Sequence, residues 1–311
     1  MTDAPLEESN NNTQERNYGC GDSYKGQFIN GKKEGEGIYN YKNGDIYNGN
    51  WKNDNKEGEG TYNYKNGDIY NGSWKNGLKD GKGTYTYKNK DKFEGIWVNG
   101  KREGEGTFTY QNGDQYIGGF KDGKREGKGI YNYNNGNKYD GNWEKGKRNG
   151  YGEFIYKDSY NYKGNWKDGK EDGDGKIEYN NGDKYDGKFK DGKREGTGKY
   201  YYKDGNRYEG EWIKGKKHGK GKFFFNNGDE YDGDFKDDKI EGEGTLTFKN
   251  GDKYIGKWSD GKKNGQGIYT FSNGYIYNGE WVNDVKEGKG EFYYGENKKE
   301  GETANDNSEQ K

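Results

Sequence analysis

One regularity constrains this 311-residue chain more than any other feature. The motif aromatic-x-Gly-x-aromatic starts at Tyr24, Tyr47, Tyr70, Phe93, Tyr116, Tyr139, Tyr162, Tyr185, Tyr208, Tyr231, Tyr254 and Tyr277, and every step is 23 residues. The twelve units cover residues 24–294 without insertion or deletion. Strict periodicity of this kind specifies a stack of like units, each completed by its neighbours. With the first aromatic as position 0, glycine fills positions 2, 11 and 13 in all twelve units. Position 4 is always Trp or Phe, position 17 is always aromatic, and position 15 departs only at Ile177 and Leu246. These four aromatic positions take 46 of the 53 aromatic residues, so the placement is structural rather than compositional.

Positions 0, 2 and 4 alternate with polar residues, as do 13, 15 and 17, which is the period of a half-buried strand. Asn30-Gly31, Asn76-Gly77 and Asp122-Gly123 mark one set of tight turns; Asn43-Gly44-Asp45, Asn66-Gly67-Asp68 and Asn112-Gly113-Asp114 mark the other. Each unit therefore reads as a β-hairpin linked to the next by a second turn. The fold class is all-β: an elongated, twisted, single-layer antiparallel sheet of about 12 tandem hairpins, on the order of 115 Å long at ~4.8 Å per strand. The expected register sets position 0 opposite 17, 2 opposite 15 and 4 opposite 13, with 17 and 13 facing the next 0 and 4. Trp51 would then lie flat beside Gly60 and Gly37. A slip of two residues keeps the same faces. Residues 1–17 and 295–311 read as disordered acidic or polar tails, and residues 18–23 as a half-repeat cap.

Composition sharpens this. Hydrophobic residues make up 25% of the chain and mean hydropathy is −1.68, a level common in disordered chains. The net charge of −1 and the 17% aromatic content oppose that reading. One cysteine, Cys20, excludes an intramolecular disulfide, and with His218 as the one histidine a Cys/His zinc site lacks ligands. The N-terminal residues lack the apolar core of a signal peptide, and the expected location is cytoplasmic, with cytoskeletal or membrane association, rather than secreted.

The unit resembles the MORN (membrane occupation and recognition nexus) repeat, Y-x-G-x-W-x-x-G-K-x-x-G-x-G-x-x-x-Y-x-x-G-D-x. The stretch Tyr208-Glu209-Gly210-Glu211-Trp212-Ile213-Lys214-Gly215-Lys216-Lys217-His218-Gly219-Lys220-Gly221, with Phe225 and Gly228-Asp229, carries the likeness. The family often has His at position 10, kept here only at His218, and Asp54, Asp238 and Asp284 replace glycine at position 7. The resemblance implies an elongated antiparallel sheet. Such repeats occur in junctophilins, alsin, plant phosphatidylinositol-phosphate kinases, a lysine methyltransferase, radial-spoke proteins and cytoskeletal scaffolds, where any chemistry belongs to another domain.

Two surfaces are candidate sites. The first is the aromatic face carrying Trp51, Trp74, Trp97, Trp143, Trp166, Trp212, Trp258 and Trp281, primarily a core and secondarily a surface for a protein partner or a second copy. The second is an edge of paired bases at positions 8 and 9: Lys32-Lys33, Lys101-Arg102, Lys124-Arg125, Lys147-Arg148, Lys193-Arg194 and Lys216-Lys217, with Lys262-Lys263. An anionic ligand such as a phosphoinositide membrane surface would suit it; solvated turns neutralised by Glu34, Glu103 or Glu126 are the plainer account. Asp45, Asp68, Asp114, Asp183, Asp229 and Asp252 line the other edge and read as turn carboxylates rather than calcium ligands. His218 reads as a turn residue and Cys20 as a cap residue. No catalytic residue, metal, cofactor or nucleic-acid contact is expected. The leading function is a non-enzymatic scaffold for protein binding or self-association in a cytoskeletal, cortical or ciliary assembly. Anionic-lipid binding is the alternative, and a glycan-binding array a third reading that the 23-residue step disfavours.

Overall fold

The computed structural model describes residues 13–294 and 297–298, and every regular element in them is a β-strand. The chain divides after Gly150 into two units, taken here in turn. The first opens with β1 (Gln14–Asn17), β2 (Ser23–Ile29), β3 (Lys32–Asn40), β4 (Ile46–Lys52), β5 (Asn55–Asn63) and β6 (Ile69–Lys75), and the alternation continues to Lys138–Glu144. Each strand pairs antiparallel with its chain neighbours. The second unit repeats the pattern from Tyr160–Lys167 to Val285–Tyr294. Within each unit the sheet is a single layer of tandem hairpins, as the periodicity requires.

The hairpin turns have the left-handed geometry anticipated from their Asn-Gly pairs. Asn30 and Gly31 sit at φ 50° and 79°, the I′ pattern whose twist suits the flanking strands. Asp54 adopts φ 67° where other units have glycine, and its carboxylate accepts the Lys33 N–H at 2.9 Å. Asp238 and Asp284 do the same for Lys217 and Lys263, so a local hydrogen bond offsets the strain of a non-glycine residue there.

The register differs from the sequence expectation by a two-residue slip. Tyr47 faces Tyr62, Gly49 faces Gly60 and Trp51 faces Lys56; across the next turn Tyr62 faces Tyr70, Gly60 faces Gly72 and Gly58 faces Trp74. Two local causes explain the slip. Between units the Tyr64 N–H donates to Asp68 O and the Gly67 N–H to Tyr64 O, both at 2.9 Å, so position 17 closes the turn and position 15 meets the next position 0. Inside the hairpin a bulge falls between Gly49 and Trp51, and Gly58 on the opposite strand takes φ 69°.

The slip changes which ring covers the glycines. Gly49 and Gly60 lie opposite each other, and a Cβ on Gly60 would stand 2.4 Å from the Tyr47 hydroxyl oxygen. Tyr47, not Trp51, lies over this bare backbone, fully buried, with its hydroxyl donating to Asn50 O at 2.9 Å. Trp51 stands edge-on between Tyr47 and Tyr24, at centroid distances of 5.1 and 5.5 Å, and its indole N–H reaches Gly37 O at 3.2 Å. Positions 15 and 17 form a zigzag of rings: Tyr39–Tyr41 at 4.5 Å, Tyr41–Tyr62 at 5.6 Å, Tyr62–Tyr64 at 4.4 Å.

The chain ends also differ from expectation. Gln14–Asn17, within the stretch read as disordered, pairs with Ser23–Gly26, and the Arg16 guanidinium covers the first position-4 ring, Phe28, at 4.2 Å. Asn297–Lys298 pairs with Tyr293 and Tyr294. The 18–23 cap repeats the turn bonds, Tyr18 N–H to Asp22 O and Gly21 N–H to Tyr18 O. The other tail residues lie outside those described.

Candidate functional site: the aromatic face and its cations

Successive residues of a strand point to opposite faces, and this separates the paired bases. Lys32, Lys101, Lys124, Lys147, Lys193 and Lys216, all at position 8, are exposed. Lys33, Arg102, Arg125, Arg148, Arg194 and Lys217, at position 9, turn onto the aromatic face and are half-buried. The expected double row of bases along one edge is therefore a single row. Several of its members are ion-paired to the following turn, as in Lys101–Asp122, Lys170–Asp191 and Lys216–Asp237.

The inward cations occupy aromatic cages. The Lys56 ammonium lies 4.4 Å from the Trp74 ring centroid, 4.7 Å from Tyr62, 5.6 Å from Tyr47 and 6.0 Å from Tyr41. Lys79 repeats this with Tyr85, Trp97, Tyr70 and Tyr64 at 4.6 to 5.6 Å. Where the base is Arg, the guanidinium also donates to a turn carbonyl: Arg102 to Gly123 O at 2.6 Å, Arg125 to Gly146 O at 2.8 Å and Arg194 to Gly215 O at 2.6 Å. Burial pushes Lys56 and Lys79 down to about 8. The negative ring faces act the other way and favour the ammonium form.

The eight Trp residues are 2% to 6% exposed and belong to the core. The accessible part of the aromatic face is the position-17 row of the zigzag and the position-9 side chains, while Tyr62, Tyr131 and Phe154 at position 15 are buried. On the opposite edge Asp45 accepts the Lys65 N–H and the Tyr62 hydroxyl, each at 2.8 Å, and the Asn43 amide at 2.9 Å. Partial burial pushes the Asp45 carboxyl up, but these donors outweigh it and hold the group below its ordinary value. Each such carboxylate ties one turn to the next, and among the described residues no group of three or more His, Cys, Asp or Glu could hold a metal ion.

A family model for the MORN repeat matches residues 24–46, 47–69, 70–92, 93–115, 116–138, 139–159, 162–184, 185–207, 208–230, 231–253, 254–274 and 277–298. The chain belongs to the MORN repeat family. Comparison with curated proteins found no match. Among solved structures, the SAS-4 (dCPAP) TCP domain of Drosophila melanogaster, in complex with a proline-rich motif of Ana2 (dSTIL), is 14% identical; the match covers 59% of this chain and 94% of that one, with a TM-score of 0.32. The TCP10 domain of Danio rerio CPAP is 12% identical over 71% and 94%, TM-score 0.24. Inactive virginiamycin B lyase of Staphylococcus aureus is 12% identical over 93% and 94%, TM-score 0.14. Overlaps this low carry no functional argument.

The MORN pattern breaks most at the seventh repeat, which sequence reasoning passed over. Position 9 there is Glu171, position 15 is Ile177, and the preceding turn has Ser159-Tyr160 where most others have Gly-Asp. The Tyr156 hydroxyl donates to Glu171 Oε1 at 3.0 Å, and burial, then the neighbouring carboxylate, pushes Tyr156 up. The signal was present in the repeat alignment as a charge reversal at one position. His218 is half-buried opposite Glu211 in another hairpin, and Cys20 is exposed in the first turn.

Proposed function

We propose that this MORN-repeat scaffold binds protein partners, or a second copy of itself, through the accessible aromatic zigzag. The setting would be a cytoplasmic assembly of cytoskeletal, cortical or ciliary type. One observation carries the reading: within each unit the partly exposed rings of position 17, such as Tyr64 and Tyr87, lie on a single-layer sheet, and among the described residues no second layer packs on them. Amphipathic rings of this kind supply contact area at low entropic cost. Chemistry would have to come from a partner.

The test is affinity capture of the tagged chain beside a Tyr64→Ser/Tyr87→Ser variant whose circular dichroism shows an intact sheet. A partner bound by the wild type and lost from the variant supports the reading; a partner retained equally by both overturns it. Sedimentation with phosphoinositide-containing vesicles at ~0.1 M salt is the parallel arm. The ion pairs made by Lys101, Lys170, Lys216 and Lys239 reduce the free charge available for such a surface, so weak binding is expected there.

A further inference from the structure

Ten of the twelve repeats carry Lys or Arg at position 9, and the exceptions are Glu171 and Ile240. The exceptions differ in kind. Both repeats also lose the position-15 ring, to Leu246 and Ile177; at Ile240 the charge disappears, whereas at Glu171 it is reversed. Glu171 keeps three of the four rings that surround a resident cation. Around Lys56 the rings come from positions 0 and 15 of its own repeat, position 17 of the preceding one and position 4 of the following one. The corresponding residues at Glu171 are Tyr162, Ile177, Tyr156 and Phe189. The Cα pairing is likewise conserved, Trp166 opposite Glu171 as Trp51 is opposite Lys56.

A carboxylate is the wrong charge for this setting, since ring faces are negative and attract cations. The Tyr156 hydroxyl satisfies Oε1 at 3.0 Å. Oε2 is directed to the next turn, where a Cβ on Gly192 would stand 3.2 Å from it. That turn corresponds to those of Gly123, Gly146 and Gly215, whose carbonyls receive a guanidinium from position 9. At Gly192 no guanidinium can come from position 9. The nearby lysines are engaged elsewhere, Lys170 with Asp191 at 3.1 Å and Lys190 with Asp172 at 3.1 Å. Among the described residues no Lys or Arg forms an ion pair with Glu171.

We propose that the cage at Glu171 receives a lysine or arginine side chain from a protein partner. The other cages are filled in cis; this one reverses the sign of its central residue and so recruits the cation in trans. Glu171 Oε2 supplies the counter-charge, the half-buried Tyr156 ring the quadrupolar wall, and the Gly192 carbonyl an acceptor. This deepens the protein-binding reading and rests on it.

The test uses the full chain and the peptide acetyl-Gly-Gly-Lys-Gly-Gly-amide, titrated at millimolar concentration while the side-chain signals of Glu171 and Phe189 are followed by NMR. The same peptide with acetyl-lysine is the control. Saturable shifts with the lysine peptide, weakened about tenfold or more with acetyl-lysine or in Glu171→Gln, are expected. Glu171→Lys should abolish binding while leaving the melting temperature unchanged or higher, because it restores the resident cation. Equal shifts with both peptides, or lysine-peptide binding that survives in a folded Glu171→Lys variant, overturn the site. A negative titration also overturns it, independently of whether Tyr64 and Tyr87 capture a partner.

Discussion

The second and seventh repeats share a backbone and differ in what that backbone carries. Both pair glycine with glycine, Gly49 with Gly60 and Gly164 with Gly175. In both a buried tyrosine, Tyr47 or Tyr162, covers the pair and meets the position-4 indole edge-on, at 5.1 and 5.2 Å. The second repeat adds Lys56 in its cage and the Asp45–Tyr62 link between turns. The seventh has Glu171, and Tyr160 and Ile177 where that link would be. The tie to the next turn survives by another route. Lys65 donates its N–H to the Asp45 carboxylate, whereas Asn180, at the same position, donates to the Ser159 backbone carbonyl at 2.9 Å. The tyrosine-on-glycine floor therefore specifies the hairpin, while the cation and the turn carboxylate are replaceable attachments.

If the floor is common to both repeats, breaking it should hurt them equally. In Gly60→Val and Gly175→Val the added side chain meets the hydroxyl of Tyr47 or Tyr162, at 2.4 and 2.5 Å for the Cβ alone. Each should cost about 3 kcal/mol in urea unfolding. A Gly175 variant that unfolds like wild type would show that the seventh repeat is held by something else. The cages should respond with opposite signs. Lys56→Glu puts a carboxylate among four rings, one more than surround Glu171, with Tyr41 in the place of Tyr156, and about 2 kcal/mol should be lost. Glu171→Lys should lose nothing. Equal destabilisation by both would mean that the cages are not equivalent.

The split between floor and attachments also explains what was legible in the sequence. Glycine at positions 2, 11 and 13 and aromatics at positions 0, 4 and 17 repeat without exception, so strand faces, hairpin turns and family resemblance followed from spacing. Register did not, because parity is blind to a two-residue slip. The bulge at Gly58 and the turn closed by Tyr64 are backbone events that the side-chain pattern leaves open. Lys56 and its equivalents were assigned to an edge for the same reason: without the register, a base beside a turn looks solvated. Glu171 was visible as an exception, but its significance depends on knowing that position 9 points at rings.

The carboxylate link should matter less than floor or cage. Asp45→Asn keeps an acceptor for the Lys65 N–H but weakens the charge-assisted bond from Tyr62, at a cost of about 1 kcal/mol. Tyr160→Asp should give no matching gain, because Asn180 already has the Ser159 carbonyl. The same link makes stability acid-sensitive. Asp45, Asp68, Asp114, Asp183 and Asp252 are all held below the ordinary carboxylate value. Their contribution is complete above that value, about 3.9, and is lost as pH falls through their lowered values. Urea midpoints that stay flat from pH 5 to pH 2 would contradict this.

The last expected effect lies on the alkaline side and belongs to the resident lysines. Lys56 and Lys79 titrate near 8 in the folded chain, against about 10.4 when unfolded. Between those values the unfolded chain binds more protons, so stability rises with pH from about 8. Tyrosines set the opposite limit. Burial, chiefly, raises Tyr24 and Tyr64 to about 12, so above about 10 the unfolded chain loses its phenolic protons first and stability falls. The urea midpoint should therefore pass through a shallow maximum near pH 10. In Lys56→Arg/Lys79→Arg the guanidinium stays charged throughout, so the rise should flatten while the fall above pH 10 remains. A rise that persists in the double variant would assign it to groups outside these two cages.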